Sequence, residues 1–95
     1  MAAYVIAEVN ITDSQLFAEY GKGVPATIAA YGGKYLVRGG RTEKKEGDWT
    51  PRRMVVLEFP NLEQARRWYD SPEYRPLLAM RLKSATTNLI FAEGV

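Results

Sequence analysis

The order in which strand-like and helix-like patterns follow one another constrains the fold of this chain more than any other feature. The segment AYVIAEVNI alternates, with Val5, Ala7 and Val9 on one side, as expected for a strand with one buried face. Apolar residues recur every three or four positions over 16–31 and again over 62–81, which predicts helices. Three further strand-like runs complete the pattern, namely KYLVR, RRMVVLEF and ATTNLIFAEG.

The resulting order is strand, helix, strand, strand, helix, strand. Short connections between these segments favour a ferredoxin-like α+β sandwich of βαββαβ order, in which an antiparallel four-stranded sheet carries the helices on one face. In this topology the first and third strands are the central neighbours, so we expect the strand order 4-1-3-2. A length of 95 residues predicts a single domain over 1–95.

The first predicted helix contains three residues that disfavour a continuous helix. Gly21 and Gly23 lower helix stability, and Pro25 lacks the backbone N–H that a helix interior uses. We therefore expect a break or kink between Tyr20 and Val24.

Two residue types are missing, and their absence excludes whole classes of site. The chain has no cysteine and no histidine, so we expect no metal ion, no cofactor and none of the usual cysteine or histidine catalytic groups. A net charge of +2, from 13 basic and 11 acidic residues, is too small and too dispersed for a nucleic-acid partner despite a pI near 9.0. The chain shows neither an apolar run of membrane-spanning length nor a secretory signal pattern. We therefore expect a cytoplasmic protein without a membrane partner.

The face of the sheet that the helices leave uncovered, here called the open face, carries too much apolar surface to remain in water. A second copy of the chain, stacked sheet against sheet, would bury this surface, and the sequence therefore predicts a homodimer. The apolar residues assigned to the open face are Tyr4, Ile6, Leu36, Met54, Val56 and Ile90.

Several segments, taken together, resemble one family. The small uncharacterised proteins of the DUF1330 family, in the dimeric α/β-barrel superfamily, are similar to this chain in YVIAEVNITD, YGGKYLVRGG, EGDWTPRRMVVLEFPNLEQARRWYDSPEYRPL and AMRLKSATTNLIF. The resemblance covers nearly the whole chain and implies a ferredoxin-like protomer paired into a barrel-like dimer, without an assigned activity. Elsewhere the superfamily includes cofactor-free monooxygenases, lactone isomerases, haem enzymes and ligand-sensing domains. Tyr31 stands where many family members carry histidine before the first Gly-Gly, so no role of that histidine carries over.

Polar residues on the open face form the main candidate site. Alternation places Glu8 and Glu58 there on adjacent central strands, where two like charges would raise the pKa of at least one carboxyl group. Arg38 and Asn88 share that face by the same count, unless a bulge flips them. Such a cluster is either a salt-bridged network that fixes the dimer register or a pocket for a small polar ligand.

The connection between the second and third strands contains two features of interest. The glycines of RGGR (38–41) do not precede a helix, so they lack the context of a phosphate-binding loop. A bent strand end, with a bulge or a close backbone approach, is the favoured interpretation. Trp49 lies in the charged hairpin that follows, where we expect it to cover the partner protomer or a pocket mouth.

Arg81 is the last candidate ligand-binding residue. It lies two helical turns from Tyr74 on one face. From there it either reaches a ligand carboxylate or pairs with Asp70 or Glu73 at the surface.

Three hypotheses follow for the function of this chain, and no catalytic residue is assigned. The candidate ligand-binding residues are Glu8, Arg38, Glu58, Arg81 and Asn88. The first hypothesis is a cofactor-free enzyme acting on a compact aromatic or carbonyl-bearing metabolite, with Glu58 or Glu8 moving a proton and Arg38 holding an enolate or carboxylate. The second is a ligand-binding or ligand-sensing module without turnover, and the third is a purely structural dimer. A ligand-sized pocket at Glu8 and Glu58 would favour the first two.

Overall fold

Four strands and three helices follow one another in the predicted order, with the second helical region divided in two. The computed structural model describes all 95 residues. Its elements are β1 (Ala3–Ile11), α1 (Ser14–Ala30), β2 (Lys34–Arg38), β3 (Arg53–Phe59), α2 (Leu62–Asp70), α3 (Arg75–Ser84) and β4 (Ala85–Glu93). The strand order β2-β3-β1-β4, with antiparallel neighbours throughout, confirms the predicted topology. None of the helices is both long and apolar enough to cross a membrane.

The core lies between the helices and one face of the sheet. On that face Val5 of β1 pairs with Leu57 of β3 and Phe91 of β4, and Val5 and Leu57 are fully buried. From the helical layer, Trp68 of α2 stacks on Tyr74, with the two ring centroids 4.2 Å apart. Both rings are shielded from solvent, so they fix the position of α2 and of the start of α3 over the sheet.

Helix α1 runs without interruption through Gly21, Gly23 and Pro25, so the predicted break is wrong. Two contacts explain its continuity. The Gly21 carbonyl, to which Pro25 has no N–H to donate, accepts a hydrogen bond of 2.9 Å from Arg38 Nη2. At Gly23 an added Cβ would lie 2.8 Å from Leu77 Cδ2, so glycine allows α1 and α3 to pack closely.

Strand β2 contains a bulge that changes the side to which its last residue points. The pairing with β3 shifts between Tyr35 and Val37, which makes Leu36 the extra residue. Arg38 then pairs with Val55, whose side chain packs against the core. The prediction that Arg38 lies on the open face is therefore wrong, because the inserted residue turns its side chain toward the helices.

Gly39 and Gly40 end β2 in different ways. Gly39 has a φ of +70°, and its N–H donates to the Met54 carbonyl at 2.8 Å. A Cβ on Gly39 would overlap the guanidinium of Arg53, whereas one on Gly40 would meet nothing within 4 Å. These observations confirm the interpretation of a bent strand end with a close approach, and they show that Gly39 makes room for Arg53.

The open face carries a row of apolar side chains that crosses all four strands. Val37 of β2 pairs with Val56 of β3, Val56 also pairs with Ile6 of β1, and Ile6 pairs with Ile90 of β4. Val37 and Ile90 are exposed, while Val56 and Ile6 are half-buried. The apolar row is therefore part of the protomer surface.

Candidate functional site

Glu8 and Glu58 both lie on the open face, as predicted, but they are far apart. Glu8 pairs with Met54 and Glu58 pairs with Tyr4, so the two rows are four residues apart along β1. At the rise of an extended strand this separation is roughly 13 Å. Glu58 Oε1 instead lies 3.3 Å from Lys34 Nζ. The structure therefore does not join the two carboxylates in one cluster.

Glu8 anchors the loop that connects β2 and β3. Its Oε2 accepts hydrogen bonds of 3.1 Å from both the indole Nε1 of Trp49 and the backbone N–H of Arg52, while Asn88 lies beside it on β4. These donors, the Arg52 N–H foremost, lower the pKa of the Glu8 carboxyl, so the expected rise in pKa is wrong for this residue. Trp49 remains 60% exposed and rests on the open face beside Glu8. This geometry supports the structural alternative for Glu8.

Replacing Glu8 with alanine should free this loop without unfolding the sheet, because it removes the acceptor of two hydrogen bonds. We expect faster tryptic cleavage after Lys44 and Lys45, which are exposed within the loop. Glu58→Ala is the matched control on the same face, since it removes only the contact with Lys34. Equal acceleration of cleavage in both variants would contradict the anchoring role.

The same contact predicts a pH dependence. The Glu8 pKa is lower in the folded state than its ordinary value of 4.5, so its stabilising effect is complete above pH 4.5 and is lost as the pH falls through the folded pKa. Iodide quenching reports on Trp49 because Trp68 is buried. Quenching should therefore increase below pH 4.5 in the wild type and stay constant in Glu8→Ala. A flat wild-type profile would count against the contact.

An internal space, here called the chamber, lies on the opposite side of the sheet, between the sheet and α1 and α3. Its volume is about 50 Å³, enough for roughly four water molecules. The sequence predicts a ligand pocket on the open face, whereas this space in the protomer lies beneath the helices. The side chains that enclose the chamber include Phe17, Tyr20, Tyr35, Val55, Tyr74 and Leu89.

A surface groove with a volume of about 480 Å³ adjoins the chamber. Both spaces are lined by Phe17, Gly21, Arg38 and Arg53, whereas Lys22 lines only the groove and not the chamber. The two guanidinium groups therefore stand where the groove meets the chamber. A ligand larger than a few atoms would have to occupy both spaces.

Two tyrosine hydroxyls meet at the chamber wall. The hydroxyl oxygens of Tyr20 and Tyr74 are 2.8 Å apart. Burial raises the pKa of both phenols, and for Tyr20 the neighbouring Tyr74 raises it further, so both stay protonated at neutral pH. Because one hydroxyl donates to the other, one proton of the pair remains available to a further acceptor.

Arg81 lies in the chamber wall and is only 5% exposed. The alternative in which it pairs with Asp70 or Glu73 at the surface is wrong. Asp70 pairs with Arg75 instead, and Glu73 accepts a hydrogen bond of 2.7 Å from the Tyr31 hydroxyl. Arg81 thus keeps its charge inside the protein without a carboxylate partner.

The structure divides the five predicted site residues among three places. The chamber receives Arg38 and Arg81, while on the open face Glu8 lies beside Asn88 and Glu58 stands apart. The structure contains no group of three or more acidic side chains positioned to hold a metal ion.

Sequence reasoning missed Arg53, Tyr20 and Tyr35 as chamber residues. For Arg53 a signal was present, because it alternates with Val55 and Leu57 and thus falls on the helix-covered face of β3. An arginine in an otherwise apolar series is the informative exception. The two tyrosines follow the ordinary apolar periodicity of their elements and gave no such signal.

Solved structures share this fold at low sequence identity. A protein of unknown function from Rhodopseudomonas palustris is 17% identical, with a TM-score of 0.75 over 99% of this chain and 82% of its own. SnoaB, a cofactor-independent oxygenase from Streptomyces nogalater, is 13% identical, with a TM-score of 0.66 over 99% and 93%. A dimeric protein of unknown function and ferredoxin-like fold from Bacteroides fragilis is 11% identical, with a TM-score of 0.57 over 98% and 96%. At these identities the similarity shows the fold alone.

The family comparison is more specific. No curated protein matches the chain. The model of a domain of unknown function, DUF1330, matches residues 2–95. The match extends from β1 to the end of the chain and agrees with the resemblance in the sequence segments. The protein therefore belongs to the DUF1330 family.

Proposed function

We propose that the protein is a homodimer that binds a small polar or aromatic metabolite in the chamber. The observation that carries the proposal is the lining of this space, where aromatic and aliphatic walls meet a few convergent polar groups beside a surface groove. Small-molecule sites commonly have this composition. A volume of about 50 Å³ admits the polar head and first atoms of a compact ligand, and the groove accommodates the rest.

Binding is the activity that the chamber side chains support best. No aspartate, glutamate or lysine lines the chamber, and Glu8 and Glu58 lie across the sheet from it. Tyrosines with a raised pKa stay protonated at neutral pH and cannot accept a proton, so proton abstraction has no strong candidate. A cofactor-free enzyme is the second candidate, supported by the fold shared with the cofactor-independent oxygenase SnoaB.

A substitution at Gly21 tests the location of the ligand. Gly21 lines both the chamber and the groove, and an added Cβ would meet only Arg38 Nη2, at 3.8 Å. Gly21→Leu should therefore obstruct the opening while keeping or improving helix stability. With benzamide as a compact polar aromatic probe, we expect amide shifts at Phe17 and Leu89 in the wild type and their loss in Gly21→Leu.

Gly40→Leu is the control, because Gly40 lies outside both spaces and has nothing within 4 Å of an added Cβ. This variant should bind benzamide as the wild type does. Benzamide shifts that centre on Ile6 and Ile90 would place the ligand on the open face and contradict the proposal. Benzamide shifts that persist in Gly21→Leu, or no shifts in the wild type, would contradict it as well.

The proposed partner on the open face is a second copy of the chain. The apolar row from Val37 to Ile90 crosses the whole sheet, and it lies between the Lys34–Glu58 ion pair and the polar row that contains Glu8. An apolar centre with polar margins is the usual anatomy of a protein interface. A structural neighbour of the same fold is described as dimeric, which supports dimerisation. The chamber would remain within each protomer, on the far side of the sheet.

A further inference from the structure

The charges around the chamber are unbalanced. Three arginines line it, and no acidic residue lines either the chamber or the groove. The five ion pairs of the protein involve none of these three residues, which are Arg38, Arg53 and Arg81. The space between the helices and the sheet is therefore a region of uncompensated positive charge.

Arg81 is the clearest case. It is 95% removed from solvent, and its Nε–H has no acceptor within the protein. A buried guanidinium without a partner is unfavourable, because the charge loses its hydration without gaining an ion pair. The hydroxyls of Tyr20 and Tyr74 line the same wall, and one proton of that pair is free to donate.

Arg53 faces the same space from the sheet. Its Nε–H also has no acceptor, its guanidinium lies over the Phe17 ring at 5.8 Å from the centroid, and it packs against Gly39. Arg38 differs, since it already donates to the Gly21 carbonyl and lies over the Tyr35 ring. Arg53 and Arg81 thus retain N–H groups without an acceptor, while the guanidinium of Arg38 already donates to a carbonyl of helix α1.

A second copy of the chain cannot supply the missing acceptor in the proposed arrangement. That copy would cover the open face, whereas both arginines point to the helix-covered face. A ligand that enters from the groove can supply this acceptor. A carboxylate has a planar pair of oxygens that matches the guanidinium fork, and it is smaller than a phosphate group, as a space of about 50 Å³ requires.

We infer that the ligand of the chamber is a compact carboxylate, whose anionic group binds Arg53 and Arg81 and whose apolar body lies against Phe17 and Tyr35. The inference rests on the proposed function, because it specifies the chemistry of the metabolite bound in the chamber. The hydroxyl pair of Tyr20 and Tyr74 provides one further donor to the same anion.

Benzoate and benzamide test this inference, since they share ring and size and differ in charge. Isothermal titration at low ionic strength should give benzoate an affinity about 10- to 100-fold higher than benzamide, the range expected for charge-assisted hydrogen bonds. Arg81→Met should remove this preference by lowering the affinity for benzoate to about that for benzamide. Arg53→Met provides a second variant with the same expected loss, and Arg66→Met, on the exposed outer side of α2, should keep the preference.

The outcomes separate the inference from the proposed function. Equal affinity for the two probes in the wild type overturns the carboxylate inference and leaves a neutral-ligand site in the chamber. A preference for benzoate that survives in both Arg81→Met and Arg53→Met overturns the assignment to these residues. If neither probe binds the wild type, both the inference and the proposed function fail.

Discussion

The Val56→Lys variant should sediment as a monomer at low micromolar concentration, where we expect the wild type to sediment as a dimer. Val56 lies at the centre of the apolar row, paired with both Ile6 and Val37. A lysine there would place an unpaired ammonium group between two apolar surfaces, which costs several kcal/mol. We expect the dimer affinity to fall by at least about 100-fold, equivalent to roughly 3 kcal/mol.

Two companion variants make this result interpretable. Ile90 is already 59% exposed in the protomer, so Ile90→Lys should dissociate the dimer without disturbing the core, even if Val56→Lys unfolds. Leu82, which is 66% exposed on α3, offers the same gain of charge away from the sheet. Leu82→Lys should remain dimeric. A wild-type monomer, or a dimer retained in both sheet variants, would contradict the stacked arrangement.

The Arg81→Met variant should be more stable than the wild type in the absence of ligand. Methionine fills a similar volume and removes a buried charge that has no carboxylate partner. Replacing buried ionic groups with well-packed apolar side chains is often neutral or stabilising, by up to about 4 kcal/mol. For a domain of this size each kcal/mol raises Tm by roughly 4–8 °C, which differential scanning calorimetry would detect.

Arg66→Met is the control for this prediction, since Arg66 is exposed on α2 and makes no ion pair. Its stability should change by less than about 0.5 kcal/mol. A lower Tm for Arg81→Met than for the wild type would show that Arg81 stabilises the ligand-free protein. The inferred function of this arginine would then be wrong.

The element order and the strand order could be predicted from the sequence because they depend on apolar periodicity. Val5, Ala7 and Val9 repeat at intervals of two and are all buried, and the pattern of α1 repeats at three and four. The same counting placed Glu8 and Ile90 on the open face. Periodicity carries this information because one face of each element must enter the core.

Long-range contacts explain what could not be predicted. The continuity of α1 depends on Arg38 donating to the Gly21 carbonyl, and that contact in turn depends on the bulge at Leu36. A bulge adds one residue without changing composition, so counting along β2 put Arg38 on the wrong face. The count therefore did not predict that Arg38 lies on the helix-covered side, where it lines the chamber together with Arg53.

The location of the chamber could not be predicted from the sequence either. A space between layers depends on how closely α1 and α3 approach the sheet, and local sequence patterns do not report that distance. Arg81 could be named as a candidate because an arginine shares a helical face with Tyr74. It has no carboxylate partner because Asp70 and Glu73 contact other residues, and sequence spacing does not reveal those contacts.

The most direct measurement of the central claim is the NMR signal of the Arg81 Nε–H, assigned by its absence from the Arg81→Met spectrum. This group has no acceptor in the ligand-free protein. If the chamber binds a carboxylate through Arg81, benzoate should move the resonance downfield and slow its exchange with water, and benzamide should do so much less. An Nε–H signal that stays unchanged at saturating benzoate would contradict the account.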